Sequence, residues 1–499
     1  MNKSKSFATF KLMVAVCVFA SIFSSGLAAD SALPNILLCV ADDHSYPHAS
    51  AYGSELVNTP GFDRVARSGV LFHRAFASAP SCSPSRASIL TGKPFFLTGS
   101  AAMNHAVWPE EQIPFTSLLK DAGYRVGFTG KGWGPGEYTR KDFDNAAGYE
   151  HNEIETAPPG EHISRSNYAA NFEEFLADDK KDGPFFFWFG ASEPHRPLDS
   201  GIGARHGLDP SVVRIPSYYP QVDEVRQDIL DYAFEVEYYD NHLAQMLELL
   251  EERGELDNTL VIVTSDHGMA FPRAKANLYD AGMRVPLAMM WENVFPQASE
   301  FEDFVSLPEL AVLILEASNV KAPADMIASD LLVRLKGGEA LLDRSWVLGG
   351  LERHGGTKSG NPDYPSRAYR TDRYLFIKNY KPENNPAGVY PGLTWPLGEP
   401  VGGFGNVDGS PTKSAIFFLR EKDPRPFQLC LQPRPMYELY DIEQDPDQID
   451  NLAILPKYIK FINDFELKLE NQLIQLEDPR LTGNPNFLEE IRLRLFPRK

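Results

Sequence analysis

Short apolar runs alternate with longer amphipathic stretches through the first two thirds of the chain. Residues 35–40, 124–129, 184–190 and 259–264 are brief and mostly apolar, the pattern of strands buried on both faces of a parallel sheet. Residues 228–253 repeat apolar positions at helical spacing, and Gly254 suits the end of that helix. Residues 307–317 read as a further helix. Strands alternating with helices predict an α/β fold, a mainly parallel sheet sandwiched by helices. From about residue 345 the rhythm changes to short Tyr/Arg-rich strands within 366–378, Gly/Pro loops across 382–411 and a closing helix over 457–476. Pro456 suits the first turn of that helix. The expected organisation is a larger N-terminal unit over residues 30–344 and a smaller C-terminal α+β unit over residues 345–499.

The other end has its own pattern. Lys3, Lys5 and Lys11 precede an apolar run over 12–23 and a small-residue stretch over 26–29. This predicts a secretory signal peptide of residues 1–29, and a periplasmic or secreted mature chain without a membrane span. The 48 basic residues face 68 acidic ones, a formal charge of -20, which argues against nucleic acid as a partner. An anionic substrate would need a locally positive pocket, so basic residues near motifs become informative. Of the four cysteines, Cys17 leaves with the signal. Cys39 lies in an apolar strand, and a Cys39–Cys430 bridge stays open, although export does not demand one in a chain of this size.

Polar residues gather just after the strand-like runs, where an open α/β sheet collects its ligands. Asp42-Asp43 follows the first run and Asp266-His267 a later one. Adjacent carboxylates repel unless a cation lies between them, and calcium is the hard divalent cation available outside the cytoplasm. Taken singly, such dipeptides are usually solvated loops. Residues 82–92 read CSPSRASILTG. Pro84 disfavours helical geometry at Ser83, which puts Cys82 on a loop, with Ser85 capping a short helix over 86–90 that Gly92 ends. Peptide donors at a helix start suit an anion. A lone cysteine is otherwise a small hydrophobe.

The run Cys82-Ser83-Pro84-Ser85-Arg86 resembles the type I sulfatase signature, in which such a cysteine is enzymatically converted to formylglycine. The resemblance implies an alkaline phosphatase-like fold, a sulfuric ester hydrolase and a formylglycine-generating maturation enzyme as a partner. It also implies one calcium ion held by Asp42, Asp43, Asp266 and His267 beside Cys82. An aldehyde hydrate offers two hydroxyls, one to attack sulfur and one to expel sulfate. Arg86 would hold that diol, Lys131 and Lys275 would bind sulfate, and His195 would protonate the leaving group. The chain departs from the family at Gly130-Lys131-Gly132-Trp133, where many sulfatases carry a histidine at the position of Trp133. His105 and His267 are candidates to replace that base, and Trp133 lines a sugar subsite or simply packs.

Residues 81–92, Pro194-His195-Arg196 and Asn277-Leu278-Tyr279 look most like the heparan N-sulfatase branch and bacterial polysaccharide sulfatases, those acting on ulvan included. Asp280-Ala281-Gly282-Met283-Arg284-Val285-Pro286 follows the general sulfatase pattern, and Glu438-Leu439-Tyr440-Asp441 with Asp445-Pro446 recurs in sulfatase C-terminal regions. The expected substrate is a sulfated carbohydrate, with O-sulfate on a polysaccharide or oligosaccharide (ulvan or a glycosaminoglycan) preferred. The alternatives are a heparan sulfamidase, a phosphodiester or phosphonate hydrolase of the same superfamily, and an inactive glycan-binding protein.

Overall fold

The structure is a computed structural model that describes residues 33–177, 183–354, 363–392 and 400–495. The expected signal peptide lies outside the described residues. The described residues form one compact unit. Its larger sheet is built on β1 (Asn35–Ala41), β2 (Val70–Phe76), β3 (Arg125–Gly130), β4 (Phe185–Gly190), β5 (Thr259–Ser265) and β6 (Arg284–Met290). Their order across the sheet is β2-β6-β5-β1-β4-β3, with short strands added at both edges. β5, β1, β4 and β3 run parallel, while β6 is antiparallel to both of its neighbours.

Each parallel strand is buried on both faces because it has a hydrophobic layer above and below. In β1, Ile36, Leu38 and Val40 enter one core cluster, while Leu37, Cys39 and Ala41 enter the other. The helix Asp223–Glu252 supplies much of the second layer through Tyr239, Leu243 and Met246. It starts five residues before the expected position, with Asp223 and Glu224 in a first turn that favours acidic side chains. Gly254 follows its end in the left-handed conformation (φ 67°), as anticipated.

The C-terminal part contributes a second, antiparallel sheet: β7 (Trp346–Leu351), β8 (Ser366–Thr371), β9 (Tyr374–Asn379) and β10 (Tyr437–Asp441), in that order. The helix Ile459–Gln475 covers one face of it through Ile462, Phe465 and Leu469. Among the described residues no helix is long and apolar enough to cross a membrane. Cys39 and Cys430 are both free thiols in separate clusters, so no bridge joins them.

Two expectations around Cys82 are corrected. The helix runs Cys82–Thr91, so Cys82 is its first residue and not a loop residue. Ser81 holds the extended geometry of the N-cap position (φ −157°, ψ 139°), and Ser85 N–H donates to the Ser81 carbonyl at 3.0 Å. Pro84 therefore falls within the first turn, where a backbone N–H has no helical acceptor anyway, and helix propagation overrides its effect on Ser83. Gly92 ends the helix at φ 63° as expected.

Two glycines set the spacing at the ends of β3 and β4. A Cβ on Gly190 would lie 1.9 Å from the Lys131 carbonyl oxygen, and one on Gly130 would lie 2.0 Å from that of Gly190. Gly190→Ala is expected to cost about 1–3 kcal/mol or more through this backbone collision. Calorimetric melting checks it, and an unchanged transition would refute the close-approach account.

Candidate active site

The carboxyl ends of the parallel strands deliver the polar residues to one place. β1 runs into Asp42 and Asp43, β3 into Lys131, β4 into the loop carrying His195, and β5 into Asp266 and His267. Pairing of Ala41 with Ser265 sets the two acidic segments side by side. The Asp266 N–H donates to the Ala41 carbonyl at 3.1 Å, and the Asp43 N–H donates to Asp266 Oδ1 at 3.1 Å. Asp43 adopts φ 72°, a left-handed conformation that costs a non-glycine residue about 1–3 kcal/mol. That strain turns its carboxylate into the cluster.

Cys82 sits at the centre of this ring. Its Sγ is 3.6 Å from Asp42 Oδ1 and 3.5 Å from His267 Nε2. Arg86, one helical turn on, donates from Nε to Asp266 Oδ2 at 2.7 Å. Its Nη1 donates to the carbonyls of Lys131 (2.7 Å) and Gly132 (3.0 Å). Nη2 stays buried without a hydrogen-bond partner, 3.4 Å from Asp42 Oδ1. One guanidinium thus ties the helix to β3 and β5 and keeps a donor aimed at the cluster.

Each buried carboxylate of the first pair has its own ammonium. Lys131 Nζ lies 2.5 Å from Asp42 Oδ2, and Lys275 Nζ lies 2.7 Å from Asp43 Oδ2 and 3.5 Å from Asp408 Oδ2. Burial raises the Asp42 pKa, but Lys131 and Arg86 outweigh it and hold it well below the usual range. The Cys82 thiol moves down to about 7: burial and Asp42 push it up, and Lys131 and Lys275 pull it further down. His195 Nδ1 donates to the Arg196 carbonyl at 2.5 Å, which leaves Nε2 facing Asp43 Oδ2 at 3.8 Å. Burial and Lys275 lower the His195 pKa, yet Asp43 and Asp42 together bring it above the ordinary value.

Asp42, Cys82, Asp266 and His267 each offer a ligand atom within 4.8 Å of the others. A cation fits them on two further grounds. Asp43 Oδ1 is buried with no hydrogen-bond partner, 3.2 Å from His267 Nε2. His267 Nδ1 donates to the Gly268 carbonyl at 2.9 Å, which fixes the ring so that Nε2 points into the cluster. Three carboxylates make an oxygen-rich donor set suited to a hard divalent ion, with the imidazole as its softer member.

Trp133 is corrected as a sugar-stacking candidate. Its indole is 2% exposed, packs edge-on against Trp108 at 5.1 Å and donates from Nε1 to the Ser83 carbonyl at 3.1 Å. It props up the helix start instead of facing solvent. His105 is exposed and held by its backbone N–H on the Pro135 carbonyl, whereas His267 touches Cys82.

Sequence reading missed His354 and Asp408. His354 Nδ1 lies 2.9 Å from the Ser81 hydroxyl, at the cap of the Cys82 helix, and Asp408 backs Lys275. Both stand in Gly-rich C-terminal segments that carry no periodicity or motif.

A family model described as Sulfatase matches residues 34–320, which contain every strand of the larger sheet. The chain is 29% identical over 498 residues to N-sulphoglucosamine sulphohydrolase of Homo sapiens, covering 91% of this chain and 93% of that one. It is 28% identical over 441 residues to an ulvan-active sulfatase of Formosa agariphila, covering 86% and 78% respectively. Among solved structures, a protein in complex with its substrate D-glucosamine-2-N,6-O-disulfate superposes with a TM-score of 0.65 at 19% identity, covering 90% of this chain and 99% of that one. The phosphonate monoester hydrolase of Agrobacterium radiobacter gives 0.63 at 17%, covering 89% and 96%. At these identities the two structures show a shared fold, the alkaline phosphatase-like α/β architecture.

Calcium is expected to raise the melting temperature, with a stabilisation of about 2.7 kcal/mol at a hundredfold excess over its Kd. Asp43→Asn is expected to abolish the gain. A parent protein whose melting ignores both calcium and chelator would overturn the cation assignment.

Proposed function

We propose that this chain, which belongs to the sulfatase family and is a sulfuric ester hydrolase, takes O-sulfate groups from a sulfated polysaccharide or oligosaccharide. The observation that carries the reading is the convergence of Cys82, Asp42, Asp266 and His267 in one buried cluster inside the family-matched segment. Carbohydrate as the substrate class is supported by the relatives, one named for N-sulphoglucosamine and one for ulvan. The first of these, similar over nearly its whole length, also favours a second reading with N-sulfate as the group removed.

In this proposal Cys82 is matured to formylglycine by a dedicated enzyme after the chain is directed to the export pathway. Once hydrated, that aldehyde would offer two hydroxyls at position 82, one to attack sulfur and one to expel sulfate. Asp42, Asp43, Asp266 and His267 would hold calcium, which supplies Lewis-acid polarisation of a sulfate oxygen. Lys131 and Lys275, each already beside a cluster carboxylate, offer their remaining N–H groups to the sulfate. Arg86 Nη2, lacking a partner, is the donor available to an oxygen at position 82. His195 carries its proton on Nε2 and gives it to the leaving oxygen or nitrogen, since its other ring nitrogen is committed to a carbonyl.

The test is sulfate release by matured protein from a panel of O- and N-sulfated glycans, with matched aryl sulfate and phosphate esters alongside. Mass spectrometry of the Cys82 peptide reports maturation. Cys82→Ala is expected to abolish release while leaving the fold intact. A phosphate ester turned over faster than its sulfate counterpart would overturn the proposal. His195→Gln is expected to lower kcat by roughly 10²–10⁴-fold. Because His195 sits above the ordinary histidine value of 6.5, its proton persists past that pH and kcat falls as pH rises through the shifted value. An alkaline limb unchanged in His195→Gln would assign the acid to another group.

A further inference from the structure

A cavity of about 250 Å³ opens beside the cluster and is lined by Lys131, His195, Ser192, Glu193, Arg196 and Glu235, among others. Lys131 and His195 belong to the machinery described above; most of the remaining wall does not. Its polar groups differ in how far they are satisfied. Glu193 accepts from the Ser164 N–H at 2.8 Å and from the Tyr168 hydroxyl at 2.9 Å. Arg196 donates to the Ala270 carbonyl at 2.6 Å and to Asp228 at 2.8 Å. Glu235, on the long helix Asp223–Glu252, is only 1% exposed, and its Oε1 is buried with no hydrogen-bond partner. A buried polar oxygen left unsatisfied costs about 1–3 kcal/mol, so a group at the wall of a cavity in this state marks a place for a ligand atom.

We propose that this cavity is the subsite for the sugar ring that carries the sulfate, and that Glu235 selects it by hydrogen bonding to a pair of neighbouring ring hydroxyls. The inference rests on the sulfatase reading above. The volume falls below the roughly 300–1,000 Å³ of sites for drug-sized ligands, which suits one ring and not a length of chain. Burial, reinforced by the negative charge of Glu193, holds the Glu235 carboxyl well above the usual carboxylate range. A neutral carboxyl offers one O–H donor and one carbonyl acceptor, which vicinal hydroxyls complement, and it adds no charge to repel a sulfate in the same cavity. Lys131 and His195 at the same wall place that sulfate end.

The experiment compares kcat and KM of matured wild type, Glu235→Leu and Glu235→Gln on two substrates. One is the panel glycan that releases sulfate fastest, and the other is 4-nitrophenyl sulfate, which has no sugar. In Glu235→Leu the glycan-to-aryl ratio of kcat/KM is expected to fall about tenfold or more, chiefly through KM. Glu235→Gln keeps a donor and an acceptor and is expected to restore the ratio to within about threefold. A ratio unmoved by Glu235→Leu overturns the subsite. So does a parallel loss on both substrates, which marks a structural role. Glu235→Gln falling as far as Glu235→Leu would show that the carboxylate charge is what matters, and so would overturn the hydroxyl pairing. Wild type that cleaves the aryl ester and no glycan removes the sugar subsite alone, whereas wild type inert on everything removes the sulfatase reading with it.

Discussion

Three carboxylates buried against one another are the constraint around which this protein is arranged. Asp42, Asp43 and Asp266 are each no more than 2% exposed, and each removal from water costs several kcal/mol unless positive charge is brought to it. Lys131, Lys275 and Arg86 bring that charge from three separate elements. Their tethering explains why strand ends, a helix and a C-terminal loop converge at one point. These three cations offset the three carboxylates one for one, a local balance within a chain whose formal charge is -20.

The frame of this arrangement was legible in the chain before any coordinates. Apolar runs of six or seven residues gave β1, β4 and β5 to within a residue or two, because a strand buried on both faces cannot hide its composition. The acidic pairs were legible because they follow those strands directly. Cys82 was misplaced for a local reason: Pro84 reads as a breaker unless one knows that the helix starts right after Ser81, which puts the proline in its first turn. Trp133 was open between two roles because an aromatic residue in a Gly-rich segment looks the same whether it faces a ligand or a core. His354, Asp408 and Glu235 were invisible. The first two arrive through long-range packing of segments with no pattern of their own, and the third is one acidic residue among several on a long amphipathic helix.

The C-terminal sheet is more than an appendage to this frame. The Tyr279 and Tyr440 hydroxyls both donate to Glu438 Oε2 at 2.7 Å, and Arg370 pairs with Asp280 at 2.9 Å. These bonds clamp the segment after Lys275 to β8 and β10. The Glu438-Leu439-Tyr440-Asp441 run therefore has a mechanical meaning: it fixes the stretch that presents an ammonium to the cluster.

The position of Cys82 carries a consequence for timing. Its side chain is 2% exposed, its backbone is wound into a helix, and Trp133 closes the turn from beneath. No second protein can grip a peptide in that state without dismantling the centre of the molecule. The proposed oxidation of this residue would therefore have to precede closure of the sheet over it, so the yield of competent protein would be decided by a race between folding and a visiting catalyst.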